Sequence, residues 1–515
     1  MKKRLFYFLM VSTMTFSTAY AWEDDVSKNT QVTPNGLTYI DTDIRTSTGG
    51  KTFVFILGAG SPVSMRLQVL DAEGNKMLAR GGQIISQEPN SSWFGYNQYL
   101  EFDKEGNAFV GVQDYRVHPA EQLATYSIYK YTPQGEKLLD GTILNDGKGG
   151  KLLSGLSMRA CDDGGVICAF NCTSEKDNAD FLMVEKLDKD GHSMWIKTLM
   201  TTNALSCAFP FLTEAADGRT MVFIAVNGQI KENMIGADGA LEWADFKTVY
   251  TAGMASPRLW EIMSIDELPG EKTAFSIVDS DRQGRLLVIN GDGSISLDGS
   301  DQGVKLNNDP AYSSDKPAVV YHQGDGTFTC VYKIKDDNVS AAYTSFRVQC
   351  LNPDGTLAWS APKELMPFHE NVWYGQYMAR DAGNGCVALF HLQMNTNNYN
   401  DVKGYMNIIG SDGTLDGEPK LFASSAVNKK NLRVSELIGG QFIAAWDEKR
   451  TGQISLFMQS IKPQGGSGIS VVEADNTGAD GKKEYFTLDG VRLLKPRKGF
   501  NIVKAGSRAY KIFVK

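Results

Sequence analysis

Three short segments of the sequence combine aromatic side chains with polar neighbours, a composition that suits the binding of sugar rings or peptide side chains. The residues concerned are Trp93, Phe94, Tyr96, Arg258, Trp260, Trp373, Tyr374 and Tyr377. A planar ring stacks on the apolar face of a ligand, and a polar neighbour hydrogen-bonds its edge. We predict that these residues bind a ligand; packing between structural elements is an alternative of equal weight.

Residue patterns of the common catalytic and metal sites are absent from the sequence. It contains no His-Glu-x-x-His, no Gly-x-Ser-x-Gly and no phosphate-binding loop. The acidic turn that includes Asp279 and Asp281 resembles the start of a Ca²⁺ loop, but Gln283 and Asn290 replace later ligands. We therefore predict no catalytic residues, no metal and no cofactor.

Two kinds of glycine turn alternate along the chain with a period of about 56 residues. The first turn precedes a short apolar run, and its glycines are Gly50, Gly106, Gly164, Gly218, Gly270, Gly326, Gly385 and Gly440. The second turn closes a polar stretch, and its glycines are Gly74, Gly135, Gly191, Gly239, Gly293, Gly355, Gly413 and Gly465. A repeat of this length with four short strands per unit is typical of a propeller blade. We predict an all-β fold, an eight-bladed β-propeller, with seven blades as the alternative.

The seventh repeat illustrates the expected order of strands within one blade. We predict an inner strand over 374–380, a second strand over 386–390, a polar loop over 395–400 and a third strand over 404–410. The aromatic segments come just before the inner strands of blades 2, 5 and 7. In a propeller such segments surround one mouth of the central channel.

The eighth repeat lacks an outer strand of its own. Trp195, Trp243 and Trp359 each stand four residues after a second-turn glycine, whereas no Trp follows Gly465. Trp22 stands about as far before the next first-turn glycine as those tryptophans stand before theirs, so Trp22 could belong to the missing outer strand of the eighth repeat. We predict that residues 22–32 pair with the strand near 455–461 and close the ring, which removes an open sheet edge; an unpaired N-terminus is the alternative.

Both ends of the chain have features of an exported protein. Lys2, Lys3 and Arg4 precede a short apolar stretch, and Ala19-Tyr-Ala21 forms a small-x-small cleavage pattern. We predict a signal peptide over 1–21, a propeller over 22–465, a linker over 466–483 and a small C-terminal β-module over 484–515. No later segment is long and apolar enough to span a membrane. The formal net charge of −8 disfavours nucleic acid as a partner.

Two parts of the sequence resemble families of secreted proteins. The run from Gly440 through Trp446 and Asp447 to Gly465 resembles the propeller repeats of secreted Bacteroidetes proteins, and this resemblance implies a propeller that is commonly displayed at the surface. The turn Leu488-Asp-Gly490-Val-Arg492 and the strands after it resemble the C-terminal sorting domain of the type IX secretion system. This second resemblance implies contact with the secretion machinery; a short basic β-module packed on the propeller is the alternative.

These observations favour a secreted or surface-displayed, non-catalytic binding protein with a polysaccharide or protein ligand, located in the periplasm or at the outer surface. A glycan-active enzyme that uses two carboxylates near the propeller axis is one alternative, and a structural component of a surface assembly is another. A fold of this kind does not by itself decide among them.

Overall fold

The computed structural model describes residues 22–33, 37, 39–59, 63–79, 81–88, 99–118, 123–147, 155–174, 179–202, 210–226, 228–253, 263–297, 302–336, 338–339, 343–450, 452–463, 483–486, 492–493, 499–505 and 508–514. The chain divides into two compact units, Met1–Pro463 and Gln464–Lys515. The predicted signal peptide and almost all of the predicted linker lie outside the described residues. Among the described residues, none belongs to a helix long and apolar enough to cross a membrane.

The described part of the first unit forms eight antiparallel sheets, and each sheet is one blade. A two-residue strand, β1 (Thr30–Gln31), precedes the first complete blade. Blade 1 contains β2 (Tyr39–Thr46), β3 (Thr52–Gly58), β4 (Val63–Leu70) and β5 (Gln83–Glu88). Blade 2 contains β6 (Leu100–Phe102), β7 (Ala108–His118), β8 (Leu123–Tyr131) and β9 (Lys137–Ile143). Blade 3 contains β10 (Leu156–Ala160), β11 (Val166–Ser174), β12 (Ala179–Leu187) and β13 (Ser193–Thr202).

The next three blades repeat this order. Blade 4 contains β14 (Pro210–Glu214), β15 (Thr220–Val226), β16 (Gln229–Ile235) and β17 (Lys247–Thr251). Blade 5 contains β18 (Met263–Leu268), β19 (Lys272–Val278), β20 (Gly284–Asn290) and β21 (Val304–Lys305). Blade 6 has its inner strand in two pieces, β22 (Ser313–Ser314) and β23 (Ala318–His322), followed by β24 (Thr327–Lys335), β25 (Thr344–Leu351) and β26 (Lys363–Met366).

The last two blades complete the ring. Blade 7 contains β27 (Val372–Gly383), β28 (Cys386–Asn395), β29 (Asn398–Ile409) and β30 (Leu415–Ala423). Blade 8 contains β31 (Lys429–Val434), β32 (Phe442–Glu448) and β33 (Ser455–Ile461), with β1 as its outer strand. Short 3₁₀ turns occupy Asn145–Gly147 and Ala216–Gly218. The predicted eight-bladed β-propeller is confirmed.

The second strand of each blade is buried on both faces, which explains its continuous apolar sequence. In β3, Phe53 and Phe55 pack in a cluster with residues of blade 2. Val54 and Ile56, which point to the opposite face, pack with residues of blade 8. Alternate side chains therefore join neighbouring blades, and no blade completes its core alone.

Ring closure uses the N-terminal segment. Thr30 lies opposite Met458 and Gln31 opposite Phe457 in an antiparallel pair, so β1 is the outer strand of blade 8. The backbone amide of Val32 extends the contact by donating to the carbonyl of Leu456 at 2.9 Å. Regular pairing is shorter than the predicted 22–32 because residues 25–29 form a turn, in which the amide of Asn29 donates to the carbonyl of Asp25.

Trp22 contacts the next blade as the other perimeter tryptophans do. Its ring covers Gly74, and its Nε1 donates to the carbonyl of Ala72 at 2.8 Å. Trp195 covers Gly239 in the same way, and its Nε1 donates to the carbonyl of Ala237 at 2.9 Å. A Cβ atom at Gly74 would stand 2.6 Å from the Trp22 ring, and φ there is +86°. Both the ring and the backbone conformation therefore require glycine at this turn.

The hairpin after β28 differs from the predicted polar loop over 395–400. Asn395 pairs with Asn398, so only Thr396 and Asn397 lie between the two strands. The polar run forms strand because this hairpin projects into solvent, where Asn398 and Tyr399 are exposed and no apolar face is needed. The predicted inner strand also extends in both directions, from Val372 to Gly383.

The second unit contains one antiparallel sheet in its described part. Its strands are β34 (Lys483–Phe486), β35 (Arg492–Leu493), β36 (Gly499–Ala505) and β37 (Arg508–Val514), in the spatial order β35-β34-β36-β37. The two-residue strand β35 pairs Leu493 with Tyr485.

Candidate functional site

The structure describes only part of the predicted aromatic site. Trp93, Phe94, Tyr96, Arg258 and Trp260 lie outside the described residues, and their role remains a prediction. Trp373, Tyr374 and Tyr377 all lie on β27, the inner strand of blade 7.

The three aromatic residues of β27 have different surroundings. Tyr374 is 7% exposed and packs against Phe346, with the ring centroids 5.1 Å apart. Tyr377 packs edge-to-face on the same Phe346, and its hydroxyl donates to the carbonyl of Lys316. Trp373 and Tyr377 line a cavity on the propeller axis, where they retain partial exposure. Tyr374 instead contributes to the packing between blades 6 and 7.

A β-bulge in β27 shapes the wall of this cavity. Pairing with β28 shifts between Tyr374 and Tyr377, which leaves Gly375 and Gln376 out of register. The buried ammonium group of Lys333 donates to the carbonyls of Tyr374 at 2.9 Å and Gly375 at 3.0 Å. The Gln376 side chain in turn accepts the amide of Leu432 at 3.0 Å. A bulge of this kind redirects side chains towards a site.

The Lys333 ammonium group also contacts a carboxylate. It forms an ion pair with Asp315 at 3.0 Å, and Lys335 contacts the same carboxylate at 2.6 Å. Burial lowers the pKa of Lys333, and the charge of Asp315 opposes this effect. This arrangement fixes the start of the inner strands of blades 6 and 7.

The cavity has a volume of about 1230 Å³ and lies mainly between the inner strands of blades 5, 6 and 7. Its acidic lining residues are Glu214, Asp266, Glu267, Glu271, Asp315, Asp381 and Glu436. Its basic lining residues are Lys316, Lys333 and Arg380. Carboxylates thus outnumber cations, and the aromatic rings of Trp373, Tyr377 and Tyr321 complete the wall.

Charged residues on other inner strands occupy the rest of the axis. Arg45 forms an ion pair with Glu101 at 2.9 Å, and Arg159 forms one with Glu214 at 2.9 Å. Each pair joins two adjacent blades. Arg380 on β27 contacts Glu436 at 3.2 Å, but Glu436 is 67% exposed.

Sequence reasoning missed these axial charges, although a simple spacing identifies them. Arg45, Glu101, Arg159 and Arg380 each stand five residues before a first-turn glycine. This is the same place on the inner strand of four different blades. Aligning the repeats on those glycines would have shown the pattern.

The protein surroundings alter the pKa values of the axial carboxylates. Burial raises the pKa of Glu101 to about 7, although Arg45 lowers it and Glu267 raises it further. Burial also raises the pKa values of Glu267 and Asp266, the latter against the opposing charges of Arg380 and Lys316. Glu101 nevertheless keeps 20% of its side-chain surface exposed. Such carboxylates can hydrogen-bond a ligand in either protonation state.

Metal and disulfide chemistry receive no support from the described residues. They contain no group of three or more His, Cys, Asp and Glu side chains arranged to hold a metal ion. The six described cysteines are free thiols.

No protein-family model matches the chain, and no curated protein sequence is similar to it. An ulvan lyase of a polysaccharide lyase family is 10% identical, with 84% of this chain and 96% of that chain covered and a TM-score of 0.44. A protein of unknown function from Dyadobacter fermentans is 9% identical, with 85% and 98% covered and a TM-score of 0.37. An endo-arabinase from Bacteroides thetaiotaomicron is 10% identical, with 50% and 94% covered and a TM-score of 0.31. Likenesses this weak carry no inference about activity.

Proposed function

We propose that this chain is a secreted or surface-displayed, non-catalytic binding protein that takes a neutral polysaccharide into its axial cavity. The observation that carries this proposal is the cavity of about 1230 Å³ beside Trp373 and Tyr377. Its volume is sufficient for several sugar residues, since sites for small molecules occupy roughly 300–1,000 Å³. Export to the periplasm or outer surface rests on the N-terminal leader pattern and the C-terminal resemblance described above.

The chemistry of the lining favours a sugar among the ligand classes. Trp373 offers a partly exposed indole face, and Gln376, Lys316 and Asp266 place hydrogen-bonding groups on the same cavity. Sugar hydroxyl groups both donate and accept hydrogen bonds, so mixed carboxylate, ammonium and amide groups complement them. The aromatic face supports the apolar side of the ring.

The balance of charge favours a neutral saccharide over an acidic one. Seven carboxylates and three cations line the cavity, so a chain of uronate or sulfate groups would meet net repulsion. A neutral ligand avoids this repulsion and still gains charge-assisted hydrogen bonds.

A binding screen tests the proposal directly. The chain without residues 1–21 is applied to an array of neutral and acidic polysaccharides, and hits are measured by calorimetry. We expect a neutral polysaccharide to bind and Trp373→Ala to weaken binding about tenfold or more. Trp359→Ala is the matched control, because Trp359 covers Gly413 at the perimeter and lies outside the cavity lining. Absence of any saccharide ligand, or equal loss in both variants, would contradict the proposal.

A second candidate function is hydrolysis or elimination within a glycan chain. Glu267 favours it, because this residue lines the cavity and burial raises its pKa, as a general acid that is protonated near neutral pH requires. Incubating the hits from the screen with the protein would then release new chain ends, and Glu267→Gln would abolish their release. Binding without release of ends supports the non-catalytic function; no ligand at all supports a structural component of a surface assembly.

A further inference from the structure

We propose that Asp266 and Lys316 together bind one pair of adjacent hydroxyl groups of the saccharide and thereby determine which sugar the cavity accepts. This inference rests on the proposed function and assigns specificity within the same site. It is carried by the geometry of the cavity wall and by the hydrogen bonds that its charged groups make.

Most cavity carboxylates already have partners within the protein. Asp315 is held by Lys333 and Lys335, and Asp381 accepts the amide of Gly383 at 2.8 Å. Glu214 pairs with Arg159, and Glu436 pairs with Arg380. Glu267 accepts a hydrogen bond from the backbone amide of Glu214. These five groups are therefore committed to the structure of the ring.

Asp266 differs from these five carboxylates. It lies in the middle of β18, opposite Ala274, and its side chain lines the cavity. Among the described residues, its carboxylate has no hydrogen-bond or ion-pair partner. A carboxylate that protein surrounds but does not satisfy must be hydrated or bound by a ligand. Within the described part of the chain Glu271 also lacks a partner, but it lies at the first turn of blade 5, beyond the end of β18.

Lys316 supplies the complementary donor from the neighbouring blade. Its ammonium group donates one hydrogen bond, to the carbonyl of Met263 at 3.0 Å, which leaves two of its three protons for the cavity. The Lys316 carbonyl accepts the hydroxyl of Tyr377, so the backbone that carries the ammonium group is anchored to β27.

A carboxylate and an ammonium group on one wall match a vicinal diol. Each hydroxyl can donate its proton to an oxygen of Asp266, and the same hydroxyl oxygen can accept a proton from Lys316. Burial raises the pKa of Asp266, and the charges of Arg380 and Lys316 oppose this effect. A missing hydroxyl would leave one of these charged groups unsatisfied, which is the physical basis of discrimination.

The test compares Asp266→Asn with Asp238→Asn, a control outside the cavity lining, in the full mature chain. The probes are the polysaccharide selected in the screen and methyl gluco-, galacto- and mannopyranosides with their single-deoxy analogues. We expect Asp266→Asn and Lys316→Met each to weaken binding about 10- to 100-fold, since hydrogen bonds to charged groups are the strong ones. Asp238→Asn should leave affinity unchanged, because Asp238 lies at the second turn of blade 4 and the asparagine oxygen can still accept the Ala240 amide.

Two readouts separate specificity from general damage to the site. Asp266→Asn should bind the parent sugar and its deoxy analogues equally, whereas wild type should prefer the parent. Wild-type affinity should also fall as pH decreases through the raised pKa of Asp266, and this acid limb should be absent in Asp266→Asn. If wild type binds sugar and Trp373→Ala weakens it, but Asp266→Asn behaves as wild type, this inference fails while the proposed function stands. If wild type binds no saccharide, the proposed function fails first.

Discussion

The two sides of the propeller axis use similar charged residues for different purposes. On the paired arc, formed by Arg45, Glu101, Arg159 and Glu214 in blades 1 to 4, cations and carboxylates meet across blade boundaries at 2.9 Å. On the open arc, formed by Asp266, Lys316 and Arg380 in blades 5 to 7, a cavity separates the inner strands. Equivalent strand positions thus act either as cross-links or as a binding surface, depending on the neighbouring blade.

The difference between the arcs arises from two features of the open arc. Its charges do not alternate from blade to blade, because Ile265 and Tyr321 occupy the places of Arg45 and Glu101 in blades 5 and 6. Its inner strands are also irregular, with a bulge in β27 and a divided inner strand in blade 6. Asp266 therefore faces the cavity without a partner among the described residues, whereas Arg380 pairs with the exposed Glu436.

Removal of an arginine from each arc should have the largest and most unequal effect on stability. Arg159→Ala removes a buried cation from its pair with the half-exposed Glu214 and also removes a bond to Thr220, so we expect a loss of about 2 kcal/mol in the free energy of unfolding. Arg380→Ala removes a pair with an exposed carboxylate and should cost about 1 kcal/mol. Urea unfolding of both variants measures the two values; equal losses would remove the distinction between the arcs.

The pH dependence of stability should reveal the titration of Glu101 within the paired arc. Its pKa of about 7 in the folded protein lies above the value of about 4.3 expected in the unfolded chain. The folded state therefore prefers the protonated form, and this stabilisation is complete below pH 4 and is lost as pH rises through 7. We expect it to amount to roughly 2 kcal/mol.

Glu101→Gln isolates this contribution from that of other groups. Glu232, whose pKa burial also raises to about 7, titrates over the same range in both proteins. The variant should therefore lose less stability than wild type between pH 4.5 and pH 7.5. Parallel curves for the two proteins would show that the Glu101 carboxyl group is not perturbed by folding.

Asp266→Asn should have the smallest effect on stability, with the opposite sign. Asp266 has no partner among the described residues, and burial raises its pKa, so its charge disfavours the folded state. Neutralising it should raise the free energy of unfolding by about 0.5–1 kcal/mol at pH 7.5. Thermal unfolding at pH 7.5 and pH 4.5 tests this, since the gain should vanish at the lower pH. A loss of stability would place Asp266 among the structural charges.

Much of the fold follows from the sequence because its determinants are local. First-turn and second-turn glycines such as Gly74 adopt positive φ, and apolar runs such as 52–57 are buried on both faces. The place of Trp22 also follows from its spacing, since it covers Gly74 as Trp195 covers Gly239. Only two residues of the closing segment pair as a strand, because a turn over 25–29 interrupts it.

The site was harder to predict because aromatic composition does not reveal exposure. Trp373 and Tyr377 line the cavity, whereas Tyr374, one residue from Trp373, packs in the seam. A bulge after Tyr374 shifts the alternation of the strand, and its stabilisation by Lys333 comes from another blade. The spacing to the first-turn glycines is sufficient to identify the axial charged residues, but it does not indicate which of them form ion pairs.

By itself, the sequence determined the turns between strands and favoured eight blades with an N-terminal closing segment, because glycines and tryptophans recur along it at fixed spacings. Tertiary structure decided which charges on the axis are paired and which face the cavity. Asp266 and Lys316 are 50 positions apart, and Arg45 and Glu101 are 56 apart, yet only the second pair forms an ion pair. Packing across the axis sets these distances, and a repeat pattern carries no information about them.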